Sequence, residues 1–271
     1  MEAEILRKVQ LVQLEMLHEI DRVCRENGIS YFLYCGTFLG AVRHKGFIPW
    51  DDDLDVGMLR EDYDRFRVIA PEKLKENYCF QDWHTDPVYA LPFGKLRKKN
   101  TYYLEAKSAP LQENGFYVDI FPVDYAPAGE KEREALKRKL LHLFRVKLMK
   151  SGFAPWMDEE RINWKKRIGY LPYQLAAKLV SQQWLIRHYD ALVAAVPENE
   201  CVYKQSARSK PNYFQRKWLQ DLAEYPFEDG MFPAPRDYDA CLTAQFGDYM
   251  TPPPEGEREN RHQIIKLDFG E

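Results

Sequence analysis

The chain has 271 residues, enough for one large core or two small ones, and its 45% apolar and 30% charged content is that of a soluble globular protein. A formal net charge of −3 argues against a nucleic-acid partner, because no global cationic surface is present to drive that binding. Five widely spaced cysteines form no CxxC pair and no Cys/His cluster, which speaks against a zinc site and fits a reducing compartment. With no signal-peptide pattern and no long apolar run, the expectation is a cytoplasmic protein whose membrane association is at most peripheral.

In residues 1–27, Ile5, Val9, Val12, Met16, Ile20 and Val23 recur at helical spacing and predict an amphipathic helix stopped by Asn27-Gly28. An apolar strand, Tyr31 to Cys35, then feeds Gly36-Thr37 and a short helix, Phe38 to Val42. The first turn of that helix offers backbone N–H groups and the Thr37 hydroxyl to phosphate oxygens, which makes Gly36 and Thr37 candidate substrate-binding residues. Arg43 and Lys45 follow as candidate phosphate clamps, with His44 between them as a supporting hydrogen-bonding group. Next come Asp51, Asp52, Asp53 and Asp55 among the apolar residues Leu54, Val56, Met58 and Leu59. Unpaired buried charge is costly, and the simplest partner for such a cluster is a divalent cation. Alternation along a strand sets Asp53 and Asp55 on one face, roughly 6.5–7 Å apart. That arrangement suits one or two Mg²⁺ ions, or Mn²⁺, completed by substrate phosphates. Position 6 of the acidic run is Val56 where a calcium loop needs glycine, so an EF-hand is rejected. Asp51 and Asp52 read as loop and cap residues, one of them within reach of the ligands. A small-residue turn followed by Asp-x-Asp on a strand is the layout of a nucleotidyltransferase fold. The expected class is therefore α/β (α+β), a mixed-sheet core with a helical insert.

Beyond Arg60 a helix is predicted to Ile69, continuing through Pro71 to Glu76, and then short strands with turns from Tyr78 to Glu105. In Phe116 to Phe121, Asp119 stands alone between Val118 and Ile120, and becomes the third carboxylate beside Asp53 and Asp55. Its rival reading is a salt bridge to a lysine or arginine. Asp124, past Pro122, is assigned to the exit loop. Residues 130–151 predict a charged amphipathic helix whose basic run, Lys137 to Lys150, is a solvated face or a contact for anionic lipid. Trp164 to Val196 gives two helices broken near Ser181-Gln182. Tyr225 to Phe232 reads as a hairpin turning at Asp229-Gly230, and Pro235 to Phe246 as a helix stopped by Gly247. Asp248 is a ribose ligand or a cap, Tyr249 a packing or donor-contacting residue, and His262 a surface histidine. The division expected is a catalytic core at 1–126, a helical insert on the acceptor side at 127–200, and a C-terminal segment at 201–271 returning to the core.

The stretch GTFLGAVRHKGFIPWDDDLDVGM with Arg60-Glu61-Asp62-Tyr63 resembles the LicD family of phosphotransferases, with fukutin-type relatives. Gly115 to Pro122 and Phe246 to Met250 with the following prolines resemble it too. The resemblance implies Mg²⁺-dependent transfer of phosphocholine from CDP-choline to a sugar hydroxyl of a teichoic acid or lipopolysaccharide precursor, with CMP leaving. It implies a glycan or lipid-linked oligosaccharide acceptor, contact with the inner membrane face, and a C-terminal segment beside the site. It also draws in Gly94-Lys95-Leu96-Arg97, making Lys95 a candidate for the diphosphate. Choline calls for an aromatic pocket, for which Trp50, Trp83, Tyr102, Tyr103 and Tyr117 are candidates. The alternatives are another alditol phosphate from a CDP donor, a nucleotidyltransferase using an NTP, and a glycan- or partner-binding module without catalysis.

Overall fold

The computed structural model describes residues 2–105, 114–158, 161–204, 213–258 and 264–270; His262 lies outside them. The elements are α1 (Ala3–Glu26), β1 (Phe32–Leu33), α2 (Cys35–His44), β2 (Asp55–Leu59), α3 (Arg60–Lys73), β3 (Tyr78–Gln81), β4 (Gly94–Lys98), β5 (Tyr102–Glu105) and β6 (Tyr117–Tyr125). Then follow α4 (Glu130–Lys150), a small hairpin of β7 (Met157–Asp158) and β8 (Arg161–Ile162), α5 (Trp164–Leu179), α6 (Gln182–Ala194), β9 (Cys201–Lys204) and β10 (Tyr213–Gln215). The last are α7 (Arg216–Gln220), β11 (Leu222–Phe227), β12 (Gly230–Pro235), α8 (Tyr238–Phe246) and β13 (Ile264–Asp268). The class is the expected mixed α/β.

The main sheet runs β1-β2-β6-β4-β3, with β2 and β6 parallel and the other pairs antiparallel. Strand β6 is long enough to hold β4 along Tyr117–Ile120 and β9 along Val123–Tyr125. One sheet face buries Val56, Met58, Leu96, Val118 and Ile120 against Leu17 and Ile20 of α1 and Phe66 of α3. This alternation leaves Asp55, Asp119 and Lys95 on the other face. Farther along that face Phe121, Val123, Val202 and Phe214 form a smaller apolar cluster.

Several boundaries depart from the sequence reading. Cys35, with a positive φ of 48°, ends the short β1 region and opens α2, which therefore starts before Phe38. Asp53 lies in the loop before β2, and only Asp55 is on the strand. Strand β6 continues through Pro122, so Asp124 sits in the strand and not in an exit loop. The hairpin pairs Phe227 with Gly230, so the turn is Glu228-Asp229, with Glu228 at φ 56°. Pro235 ends β12, and α8 starts at Tyr238 because the Asp237 side chain caps Ala240 N.

The insert grips the core through the segment joining β3 to β4. Trp83 and Tyr89 are buried with Leu140, Ile186 and Tyr189, and the Trp83 and Tyr189 rings are 4.6 Å apart. Lys147, assigned by sequence to a basic face, is 2% exposed and donates to the carbonyls of Pro87 and Tyr89 and to Ser151 Oγ. A long amphipathic side chain in a mostly basic helix was free to turn inward, because three oxygens solvate its ammonium there. Burial lowers its pKa to about 8. The unfolded chain keeps a lysine protonated to about 10.5, so unfolding takes up a proton between these values and rising pH favours the fold. Urea unfolding of wild type and Lys147→Met from pH 8 to 10 should therefore diverge in favour of wild type by up to about 1.4 kcal/mol per pH unit. A pH-independent difference would refute it.

Candidate active site

The acidic loop is held from three sides. Buried Gln10 and Gln13 of α1 donate to the carbonyls of Asp51 and Asp52, at 2.9 and 3.1 Å. The Tyr103 hydroxyl donates to the same Asp52 carbonyl at 3.1 Å. From the α2 side, Thr37 Oγ1 accepts the Asp55 N–H at 2.8 Å, tying the first helical turn to the head of β2. A Cβ placed on Gly36 would lie 2.6 Å from Asp51 Oδ2, so this glycine leaves the space in which the carboxylate packs. The carboxylates of Asp51, Asp52 and Asp53 approach one another within 4.8 Å, with Asp52 fully buried. Sequence patterning missed Gln10 and Gln13 because it followed only the apolar stripe of α1. Two amides beside that stripe, facing a loop of carbonyls, were the available signal.

Strand register brings the other predicted residues together. Asp55 on β2 is opposite Asp119 on β6, and Asp119 is opposite Lys95 on β4. In-register neighbours point to the same face about 4.8 Å apart, so Asp55, Asp119 and Lys95 make a row across three strands. Lys95 Nζ donates to Asp119 Oδ1 at 2.5 Å and lies 3.3 Å from the Tyr117 ring centroid. Burial lowers the Lys95 pKa, and the Asp119 charge opposes that shift. The salt bridge weighed for Asp119 is thus present, and its partner is itself a predicted site residue. On the next strand Gln81 is opposite Lys95 and accepts from Arg97 Nε at 2.9 Å.

The remaining candidates are more dispersed. Arg43 and Lys45 lie at the far end of α2 from Thr37, about 9 Å or more along its axis. Arg43 Nη1 donates to the carbonyl of Tyr249 at 2.7 Å, which joins two predicted substrate contacts to each other. Burial and the nearby Arg258 lower the Arg43 pKa, and burial and Arg43 lower that of His44. Lys45 Nζ donates to Val42 O, and the Tyr249 hydroxyl to Asp239. Asp248 Oδ1 accepts from Thr251 N, the capping alternative. Of the aromatic candidates, Trp83 and Tyr103 are core residues, and Tyr117 stacks under Lys95. Trp50 and Tyr102 carry the chain's own cations, Arg258 at 5.1 Å and Lys266 at 4.1 Å.

Asp124 has a different role. It is 1% exposed and accepts two hydrogen bonds from Arg60, at 2.6 and 3.1 Å. Burial opposes the Arg60 charge, and the Asp124 carboxylate outweighs it, holding the guanidinium above its ordinary pKa. The pair borders a cavity of about 340 Å³ between α3 and the insert, shared with Arg67, His84, Asp190 and Val193.

The mixed sheet and the carboxylates before β2 and within β6 define a nucleotidyltransferase-type core. Residues 28–150 match the family described as LicD/FKTN/FKRP, nucleotidyltransferase domain. The chain is 30% identical over 266 residues to the lipopolysaccharide cholinephosphotransferase LicD of Haemophilus influenzae, covering 95% of this chain and 96% of that protein. A shorter stretch of 35 residues is 51% identical to the ribitol 5-phosphate transferase FKRP of Homo sapiens, covering 13% of this chain and 7% of that protein. The chain belongs to the LicD family.

Breaking a buried ion pair on one side costs about 3–5 kcal/mol, whereas replacing both partners by apolar groups costs far less. Lys95→Met should therefore destabilise the protein by about 3 kcal/mol, and Lys95→Met with Asp119→Leu should recover much of that loss. Urea midpoints of the two variants and wild type decide it, and an additive double variant would contradict the pairing.

Proposed function

We propose that this chain is a phosphotransferase that moves phosphocholine from CDP-choline to a sugar hydroxyl of a cell-surface glycan precursor, releasing CMP. The observation that carries this reading is the Asp55–Asp119–Lys95 row, set beside the Asp51–Asp53 loop and the first turn of α2. Full-length similarity to a lipopolysaccharide cholinephosphotransferase supports choline as the alcohol carried.

Asp53, Asp55 and Asp119 offer hard oxygen donors in the number and chemistry that Mg²⁺ or Mn²⁺ takes. The bare Cα of Gly36 leaves room for Asp51, whose carboxylate lies within 4.8 Å of that of Asp53. Such an ion, when bound, neutralises diphosphate charge. The chain's own residues do the rest. Lys95 uses one donor on Asp119 and offers the others to a phosphate oxygen. Thr37 accepts from Asp55 N–H and retains its hydroxyl proton to donate to phosphate, beside the amides of the α2 first turn. A carboxylate of the row takes the proton of the acceptor hydroxyl as its oxygen bonds to the choline-bearing phosphorus, and the bond from that phosphorus to the CMP oxygen breaks. Arg43 fixes the Tyr249 carbonyl and so holds the C-terminal loop at the end of α2.

Purified protein incubated with CDP-choline and a glycan acceptor should release CMP, stop with EDTA and recover with added Mg²⁺. Asp55→Asn and Asp119→Asn should each lower turnover by about 10²-fold or more while keeping a cooperative melt. CDP-ribitol in place of CDP-choline tests the alcohol, since FKRP is a ribitol 5-phosphate transferase. Preference for CDP-ribitol would keep the chemistry and change the substrate. Pyrophosphate release from CTP would replace the reading by nucleotidyl transfer, and near-normal turnover of either variant would refute the carboxylate assignment.

A further inference from the structure

We infer that α5 is a membrane-surface helix that docks the protein on anionic lipid. Helix α5 packs on α4 through Tyr173, Ala176 and Ala177, in a cluster with Val146. Its opposite side carries Trp164, Ile168, Leu171, Leu175 and Leu179, spaced by three or four residues and so aligned in one stripe about 22 Å long. Exposure along this stripe runs from 47% at Leu171 to 85% at Leu179. Among the described residues nothing covers it. Ile162, at the end of the hairpin leading into α5, is exposed as well.

Charge selects the occupant. Residues 164–179 contain Lys165, Lys166, Arg167 and Lys178 and no acid, in a chain whose net charge is −3. On the helical wheel Lys165 flanks one side of the stripe, and Arg167 and Lys178 the other. Arg167 also lies over the Trp164 ring at 4.8 Å, a tryptophan–cation pair at the end of the stripe. An apolar stripe with basic flanks and an aromatic end is the pattern of a helix lying in the plane of an anionic bilayer surface. A second copy of the chain is the poorer occupant, because pairing two α5 helices sets lysine and arginine against lysine and arginine. No described helix is long and apolar enough to cross a membrane. The basic run of α4 is a weaker candidate: Lys147 is buried, Lys150 donates to Ala177 O and Arg145 to Tyr173.

The test uses full-length protein with no substrate, so its result is independent of the phosphotransfer assignment. Flotation with vesicles of phosphatidylcholine plus phosphatidylglycerol should carry the protein upward, and vesicles of phosphatidylcholine alone should carry it at least about tenfold less well. Leu171→Gln/Leu175→Gln/Leu179→Gln should lower binding to the anionic vesicles by about tenfold or more, with an unchanged melting temperature. Lys165→Gln/Arg167→Gln/Lys178→Gln should lower it and flatten its salt dependence. No flotation with anionic vesicles at low salt, or equal flotation of the leucine variant, would overturn the inference. So would concentration-dependent dimerisation of wild type that the leucine variant abolishes, since the stripe would then belong to a second copy.

Discussion

The contact on which the site depends is the buried pair between Lys95 and Asp119. Register fixes Asp55 directly beside Asp119, and two adjacent carboxylates in a water-poor setting repel each other. A cation on the third strand offsets that repulsion where the sheet is formed, before any ligand arrives. The arrangement requires β6 to be central, parallel to β2 and antiparallel to β4. The alternation that buries Val118 and Ile120 on α1 and α3 is the same alternation that turns Asp119 to the opposite face. A one-residue slip of β6 would send Asp119 into the apolar core, so the hydrophobic pattern guards the polar row.

Distant parts of the chain brace the strands that carry this row and the helix beside it. Lys95 is the second residue of β4 and faces Gln81, the last residue of β3, so its position follows from the segment between them. That segment contains an Asx turn in which Asp82 Oδ1 accepts from His84 N and Thr85 N, and Asp86 receives a hydrogen bond from Gln81. Helix α4 clasps it through Lys147, and α6 through Tyr189. The insert is thus mechanically connected to Lys95, although none of its residues belongs to the row. On the other side, β9 extends the β6 edge that β4 leaves at Ile120, and Arg43 fastens Tyr249 to the end of α2.

Periodicity revealed the elements whose two faces differ strongly. Helix α1, the break before α6 at Ser181 and the isolated Asp119 were legible for that reason, whereas the β11–β12 hairpin was legible from its Asp229-Gly230 turn residues, one residue past the observed turn. Asp124 was not, because Pro122 suggested a strand end, whereas a proline lacks only its N–H and a strand can pass through it where no ladder bond is needed. The consequence is chemical as well as structural: a carboxylate placed in a solvated loop is instead committed to Arg60. Lys147 misled in the opposite sense, since composition assigns a lysine among lysines to solvent and only tertiary packing could turn it inward. Gly36 and Thr37 were singled out for phosphate, yet their visible contacts are with Asp51 and the Asp55 amide. A sequence gives residue types at a turn but not which chain segment packs over it.

Charge in this chain is segregated, and the segregation ties the two proposals together. Carboxylates gather in the loop before β2 and on β6, where the proposed phosphoryl transfer calls for electropositive partners. Helix α5 has no acid at all and presents only cations beside its apolar stripe. A net charge of −3 distributed evenly would repel an anionic surface weakly everywhere. Clustering cations on the packed helices α4 and α5 makes that side attractive within a Debye length of about 10 Å, so the charge pattern orients the molecule as well as attracting it. If the acceptor glycan is lipid-linked, orientation and confinement act together, because a docked enzyme meets its acceptor at the high effective concentration of a shared surface. The acid-free α5 and the acid-rich loop are then two consequences of one demand, that an anionic donor be gripped by a protein resting on an anionic surface.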